Sequence, residues 1–121
     1  MKELKVIVAG GREFNDYDRL SADLFNYAES LGDEVGMSIV TGMARGADAL
    51  AYRFTLNESV KVYEFKPDWD GLGKRAGFVR NAEMAEFADR LIAYWDGESR
   101  GTAHMIQTMQ KMGKPVTVIS Y

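Results

Sequence analysis

The sequence predicts a single α/β domain built on a parallel sheet of about five strands with helices on both faces. Three observations predict it. Short apolar runs rich in β-branched residues alternate with helical segments of roughly 10 to 15 residues, the rhythm of right-handed βαβ crossovers. The runs are almost continuously apolar, as strands buried on both faces must be. The chain of 121 residues, 46% hydrophobic and 27% charged, also has the size and balance of one domain with its own core, spanning residues 1–121.

Leu4 to Ala9 reads as the first strand and stops at Gly10-Gly11. Arg12 and Phe14 follow, and then Asn15-Asp16, either of which can cap a helix carrying Leu20, Leu24, Phe25, Tyr27, Ala28 and Leu31, with Gly32 as its stop. Met37 to Thr41 is the second strand, and Ala47 to Asn57 the second helix, with Leu50, Ala51, Phe54 and Leu56 as its apolar positions. Val60 to Phe65 alternates as a third strand and breaks at Pro67. Pro67 to Gly77 is the longest irregular stretch, and long loops within a domain are often functional. Phe78 to Ala88 forms a third helix with Arg80 and Asn81 in its first turn. Leu91 to Trp95 is the fourth strand, closed by Asp96 and Gly97. Thr102 to Met112 is a fourth helix with Met105, Ile106, Met109 and Met112 on one stripe, most simply core. Val116 to Ile119 completes the sheet.

A Rossmann-like three-layer domain with strand order 3-2-1-4-5 accommodates these elements. In that order the chain reverses between strands 1 and 4, and ligands bind outside the carboxyl ends of the strands at such a switch point. Three loops of one character then share a mouth: Gly10-Gly11-Arg12, Gly42-Met43-Ala44-Arg45-Gly46-Ala47-Asp48, and Gly97-Glu98-Ser99-Arg100-Gly101-Thr102. Glycines let a backbone come close to a ligand, and the helix start behind each loop offers N–H groups to an anion. Singly, each loop is a common βα turn and each arginine a surface residue. Arg12, Arg45, Arg80 and Arg100 at one edge point instead to an anionic small molecule. Trp69 either stacks on a base or anchors packing.

Several function classes are excluded or disfavoured. There are no cysteines and one histidine, so neither thiol chemistry nor a histidine metal site is available, and no metal is expected. His104 reads as a partly buried or surface residue. The absence of cysteine suits a reducing cytoplasm, and no apolar stretch approaches the roughly 20 residues that span a bilayer, so a soluble cytoplasmic protein without a membrane partner is expected. No G-x-x-x-x-G-K-[ST] and no G-x-G-x-x-G is present, which removes a P-loop mechanism and disfavours a nicotinamide cofactor. No cofactor is expected.

Taken together, Gly10 to Asp16, Gly42 to Asp48, Lys74 with Gly77 and Arg80-Asn81, and Trp95 to Thr102 resemble the SLOG superfamily, specifically its small YspA-like branch. The resemblance runs nearly the whole chain and implies a Rossmann-like domain that binds nucleotides or nucleotide-derived ligands at these loops. Its relatives include LOG-type phosphoribohydrolases, sensor domains for ADP-ribose-type signals, and the DNA-processing protein A, whose single-stranded-DNA-binding domain carries a loop similar to Gly42 to Asp48. The phosphoribohydrolases use P-G-G-x-G-T-x-x-E with a catalytic glutamate. This chain keeps Gly101-Thr102 but has Met105 at the glutamate position, and Met105 cannot move a proton.

The favoured function is therefore binding of a nucleotide or ADP-ribose-like molecule, with a sensing role, by Gly10, Gly11, Arg12, Phe14, Gly42, Arg45, Gly46, Asp48, Trp69, Lys74, Arg80, Asn81, Gly97, Ser99, Arg100, Gly101 and Thr102. An N-glycosidase using a displaced carboxylate from Asp48, Asp96 or Glu98 is the alternative. Single-stranded nucleic-acid binding is the third reading. The net charge of −3 and the few aromatics near the cleft count against it, so nucleic acid is not expected among the partners. A homodimer or higher homo-oligomer is expected, because relatives commonly dimerise and a five-stranded sheet leaves several methionines and aromatics to cover.

Overall fold

Val6 and Val8 turn to one side of the central strand and Ile7 and Ala9 to the other, and all four are buried. That alternation makes a sheet needing a helical layer on each face. In the computed structural model, which describes residues 2–121, the sheet contains β1 (Lys2–Gly10), β2 (Val35–Thr41), β3 (Val62–Glu64), β4 (Arg90–Trp95) and β5 (Val116–Ser120). Met1 lies outside the described residues. All strand pairs are parallel and the order is β3-β2-β1-β4-β5, as expected from the sequence.

The helices sort by face. Leu20 and Leu24 of α1 (Tyr17–Ser30) and Ala47, Ala51 and Phe54 of α2 (Ala47–Glu58) pack on Val6, Val8, Ile39, Ile92 and Tyr94. On the other face, Met84, Ala85 and Ala88 from α4 (Ala76–Phe87) and its end, with Met105, Ile106 and Met109 of α5 (Arg100–Lys111), cover Ile7, Ala9, Val40, Leu91 and Ala93. The stripe is core at Met105, Ile106 and Met109, but not at Met112. Asp16 caps α1, its carboxylate accepting from the Arg19 N–H at 3.1 Å. Lys114 closes the far end of α4, its Nζ donating to the carbonyls of Ala85 (2.7 Å), Glu86 (3.1 Å) and Ala88 (2.8 Å).

Some local expectations fail for identifiable reasons. Pro67 to Gly77 is not irregular: it holds a short helix, α3 (Trp69–Leu72), and a 3-10 turn over Gly73–Arg75 that runs into α4. Two glycines masked it, while Asp68 caps it by accepting from the Gly71 N–H at 2.9 Å. Because α4 therefore begins at Ala76, Arg80 and Asn81 sit in its second turn rather than its first. The third strand is only three residues long. Leu56 is 65% exposed, because two residues past Phe54 a helix has turned to its opposite side, and Phe25 and Met112 are also exposed. Among the described residues no helix is long and apolar enough to cross a membrane, and no cluster of three or more histidine or acidic residues is placed to hold a metal.

Removing a fully buried leucine leaves a cavity, whereas trimming an exposed one does not. Leu24→Ala should lower unfolding stability by about 3 kcal/mol, and Leu56→Ala by less than about 0.5 kcal/mol, in urea titrations of the two variants.

Candidate ligand-binding site

The loops after β1, β2 and β4 meet at the carboxyl edge of the sheet, beside the switch point between β1 and β4. Gly46, at φ 87°, turns the second loop so tightly that a side chain there would collide with the Gly11 and Arg12 backbone. Gly42 has a different task. A Cβ on it would stand 2.6 Å from Arg80 Nη1, so the space a side chain would fill is occupied by the guanidinium, which donates to the Gly42 carbonyl at 2.6 Å. The glycine read from sequence as room for a ligand is first of all room for Arg80.

Arg80 is held on a second side, its Nε donating to Asn81 Oδ1 at 3.1 Å. The Asn81 amide donates in turn to the Gly101 carbonyl and lies 3.2 Å from His104 Nδ1, joining α4 to the start of α5. Burial is the main reason the Arg80 pKa is lowered, with the Asp48 charge opposing the shift. Asp48, in the first turn of α2, is 5% exposed, and burial pushes its carboxyl up to about 6 against the pull of Arg80. Asp96 is driven the other way: its Oδ1 accepts from the Ser99 N–H (2.9 Å) and the Glu98 N–H (2.8 Å), and both bonds favour the ionised form.

Two connected hollows result. An inner cavity of about 370 Å³ has a floor of Ala9, Met84 and Met105 and polar walls from Gly10, Gly11, Arg12, Glu13, Asp48, Arg80, Asn81, Asp96, Ser99, Gly101 and Thr102. An outer basin of about 470 Å³ is lined by Gly42, Met43, Ala44, Arg45, Lys66, Pro67 and the exposed indole of Trp69. Arg12 and Arg80 border both. Lys74 stands with Trp69 and Phe78 around a smaller hollow of about 180 Å³ that shares those arginines.

Most of the residues singled out from sequence thus converge, but not all. Phe14 is core, stacked on Tyr94 with ring centres 4.4 Å apart. Gly46 packs on the first loop, and Gly97, Glu98 and Arg100 lie on the exposed side of the third loop without lining either hollow. Arg45 forms an exposed ion pair with Glu13 at 3.2 Å, worth little by itself. Tyr121, Lys66, Glu13, Met84 and Met105 line the hollows without having been recognised as lining. Tyr121 carried no local signal, because it arrives beside Gly11 only through the pairing of β5 with β4.

The loop amides are heavily committed inside the protein. Met43 N–H donates to Thr41 Oγ1 at 3.2 Å, Ala44 N–H to Asp48 Oδ2 at 3.4 Å, Ala47 N–H to the Gly11 carbonyl at 3.4 Å, and Thr102 N–H to Ser99 Oγ at 3.5 Å. The inner cavity thus has in its lining one carboxyl whose pKa is raised by burial and one whose pKa is lowered by the loop amides. Met105 is buried in its floor.

Residues 4–71 match the model of the YspA, cpYpsA-related SLOG family. The chain belongs to that family. The chain is also similar to the Gene 61 protein of Mycobacterium phage D29, 34% identical over 122 residues and covering 93% of each chain. Among solved structures this SLOG domain is similar to DNA processing protein A from Streptococcus pneumoniae (TM-score 0.72, 19% identity) and to DNA processing protein A from Helicobacter pylori (TM-score 0.71, 23% identity). Each similarity covers 95% of the present chain but only 50% and 64% of those longer ones, and at such identities it shows the fold. The Helicobacter protein has a single-stranded DNA binding mode. This overturns the expectation that nucleic acid is not among the partners. Net charge was the wrong measure, because −3 is summed over the whole surface while Arg12, Arg45, Lys66 and Arg80 are gathered at one basin.

The buried Asp48 makes stability depend on pH. Its carboxyl holds a proton more tightly in the folded chain, near pH 6, than at the ordinary 3.8, so the stability it permits is greatest at low pH and declines as pH rises through that window. Denaturant midpoints of the natural chain relative to Asp48→Asn should fall between these two pH values and level off above them. A flat difference would contradict the burial of an ionisable Asp48.

Proposed function

We propose that this SLOG domain binds a nucleotide or a nucleotide-derived molecule of the ADP-ribose type at the carboxyl edge of its sheet, acting as a binding and sensing module. The observation that carries this is the meeting of two hollows at Arg12 and Arg80, with an exposed indole at the outer end. Arg80 is pre-set by Gly42 and Asn81, so its guanidinium spends little entropy in gripping an anion. Trp69 offers a flat apolar surface for a base. The combined space is within the range of small-molecule sites. Met105 in the cavity floor supports binding over N-glycosidic hydrolysis.

A second reading, single-stranded nucleic acid tracking the same edge, is favoured by the binding mode of the Helicobacter protein and by the basic, indole-bearing outer basin.

Calorimetry with the ribonucleoside 5′-monophosphates, ADP-ribose and a short oligo-dT separates the two. The mononucleotides or ADP-ribose are expected to bind, and Arg12→Ala, which removes an exposed side chain from both hollows, to weaken them about tenfold. Binding of oligo-dT alone replaces the first reading with the second, and binding of neither by the natural chain removes both. Release of free base would instead identify a hydrolase.

A further inference from the structure

Asn81 stands where α4 meets the start of α5, is 5% exposed, and has its Oδ1 and both amide N–H groups engaged. Its Oδ1 accepts from Arg80 Nε at 3.1 Å, and its Nδ2 lies 3.2 Å from the Gly101 carbonyl and 3.2 Å from His104 Nδ1. The amide can face only one way, because Arg80 Nε can only donate and a carbonyl can only accept. His104 Nδ1 is therefore the acceptor of the third bond, and the neutral ring carries its proton on Nε2. The ring packs on Phe78 of α4 with centres 4.5 Å apart. Around it, α4 presents Phe78 and Asn81, with Arg80 one hydrogen bond further on and Asp48 beyond Arg80. Lys74 shares the smaller hollow with Phe78, and Lys111 lies on the helix of His104 itself. No carboxylate is paired with the ring among the described residues. Burial, and then the Lys111 charge, hold the imidazole pKa below the ordinary 6.5, so the neutral ring is the form that suits the fold.

We propose that His104 is a positioning residue for Arg80: its neutral ring accepts from Asn81 and so fixes the guanidinium, while a proton taken up at Nδ1 turns the Asn81 amide over and releases Arg80 Nε. A protonated Nδ1 sets a donor against the amide donors, and presenting Oδ1 to the charged ring relieves that clash. Oδ1 is then lost to Arg80. The turn also gives up the Gly101 carbonyl, but Arg80 Nη1 keeps the Gly42 carbonyl at 2.6 Å, so the guanidinium pivots on one bond where two had fixed it. The bearing on binding rests on the nucleotide reading: a phosphate held by Arg80 loses a pre-set partner on acidification, although the protein gains positive charge. The relay itself involves no ligand.

His104 is the only histidine in the chain, so its ring signals are unambiguous. Nitrogen NMR of the natural chain without ligand, well above pH 6.5, should show Nδ1 unprotonated and Nε2 protonated. On acidification the ring should titrate below 6.5, and the Asn81 side-chain amide and Arg80 Nε–H resonances should shift with the same midpoint. His104→Gln offers Asn81 an uncharged acceptor at every pH and should remove the part of those shifts that follows the ring. A step of equal size in both chains is that of Asp48, whose charge also acts on Arg80, and overturns the relay. So does a neutral ring protonated at Nδ1, or Asn81 and Arg80 resonances in the natural chain that ignore the His104 midpoint. Each of these results leaves the nucleotide reading untouched, and a natural chain that binds no nucleotide leaves the relay standing.

Discussion

At the carboxyl end of the central strand a single residue, Gly11, ties three elements together through the two peptide groups that flank it. The Gly11 N–H donates to the Tyr94 carbonyl of β4 at 3.0 Å, and the Gly11 carbonyl accepts from Phe14 at 3.2 Å and from Ala47, the first amide of α2, at 3.4 Å. The chain diverges here, and these bonds carry the β1–β4 pairing one residue past Gly10, to where the mouth opens. The positive-φ turn at Gly46 exists to bring α2 close enough for the last of them. The mouth is therefore a consequence of how the centre of the sheet ends.

On that frame a second constraint sets what the mouth can recognise. Arg80 lies over Gly42 and is fixed by Asn81, whose amide reaches Gly101, so the loops after β2 and β4 are joined through two neighbouring residues of α4. Fixing a guanidinium by its Nε and one Nη leaves its remaining N–H groups oriented before any ligand arrives. The same burial raises Asp48 and lowers Arg80, so the two charges restrain each other in the wall of the cavity. This pairing explains how a chain with a net charge of −3 presents a concentrated positive basin with a carboxylate interior directly behind it.

The strand order and the two core faces were legible in the sequence, because alternation of Val6, Ile7, Val8 and Ala9 between faces, and of buried strands with helices, has few other solutions. The glycine and arginine loops were legible for the same reason: carboxyl-end loops in this topology must share an edge. Less visible was what each residue does there. Phe14 looked like a loop residue and is core, since a turn after β1 drops its ring onto Tyr94. Leu56 looked apolar and inward but falls off the buried face by its helical phase.

By itself, then, the sequence determined the family, the parallel sheet and the set of loops that would meet, since these follow from local pattern and from motifs read in order. Only the tertiary structure decided how those loops spend their hydrogen bonds. Gly42 yields its space to Arg80, Asp96 takes the Glu98 and Ser99 amides and Ser99 that of Thr102, and Tyr121 enters from the last strand. These are contacts between residues far apart in the chain or competing for one donor, and no local pattern specifies which acceptor wins.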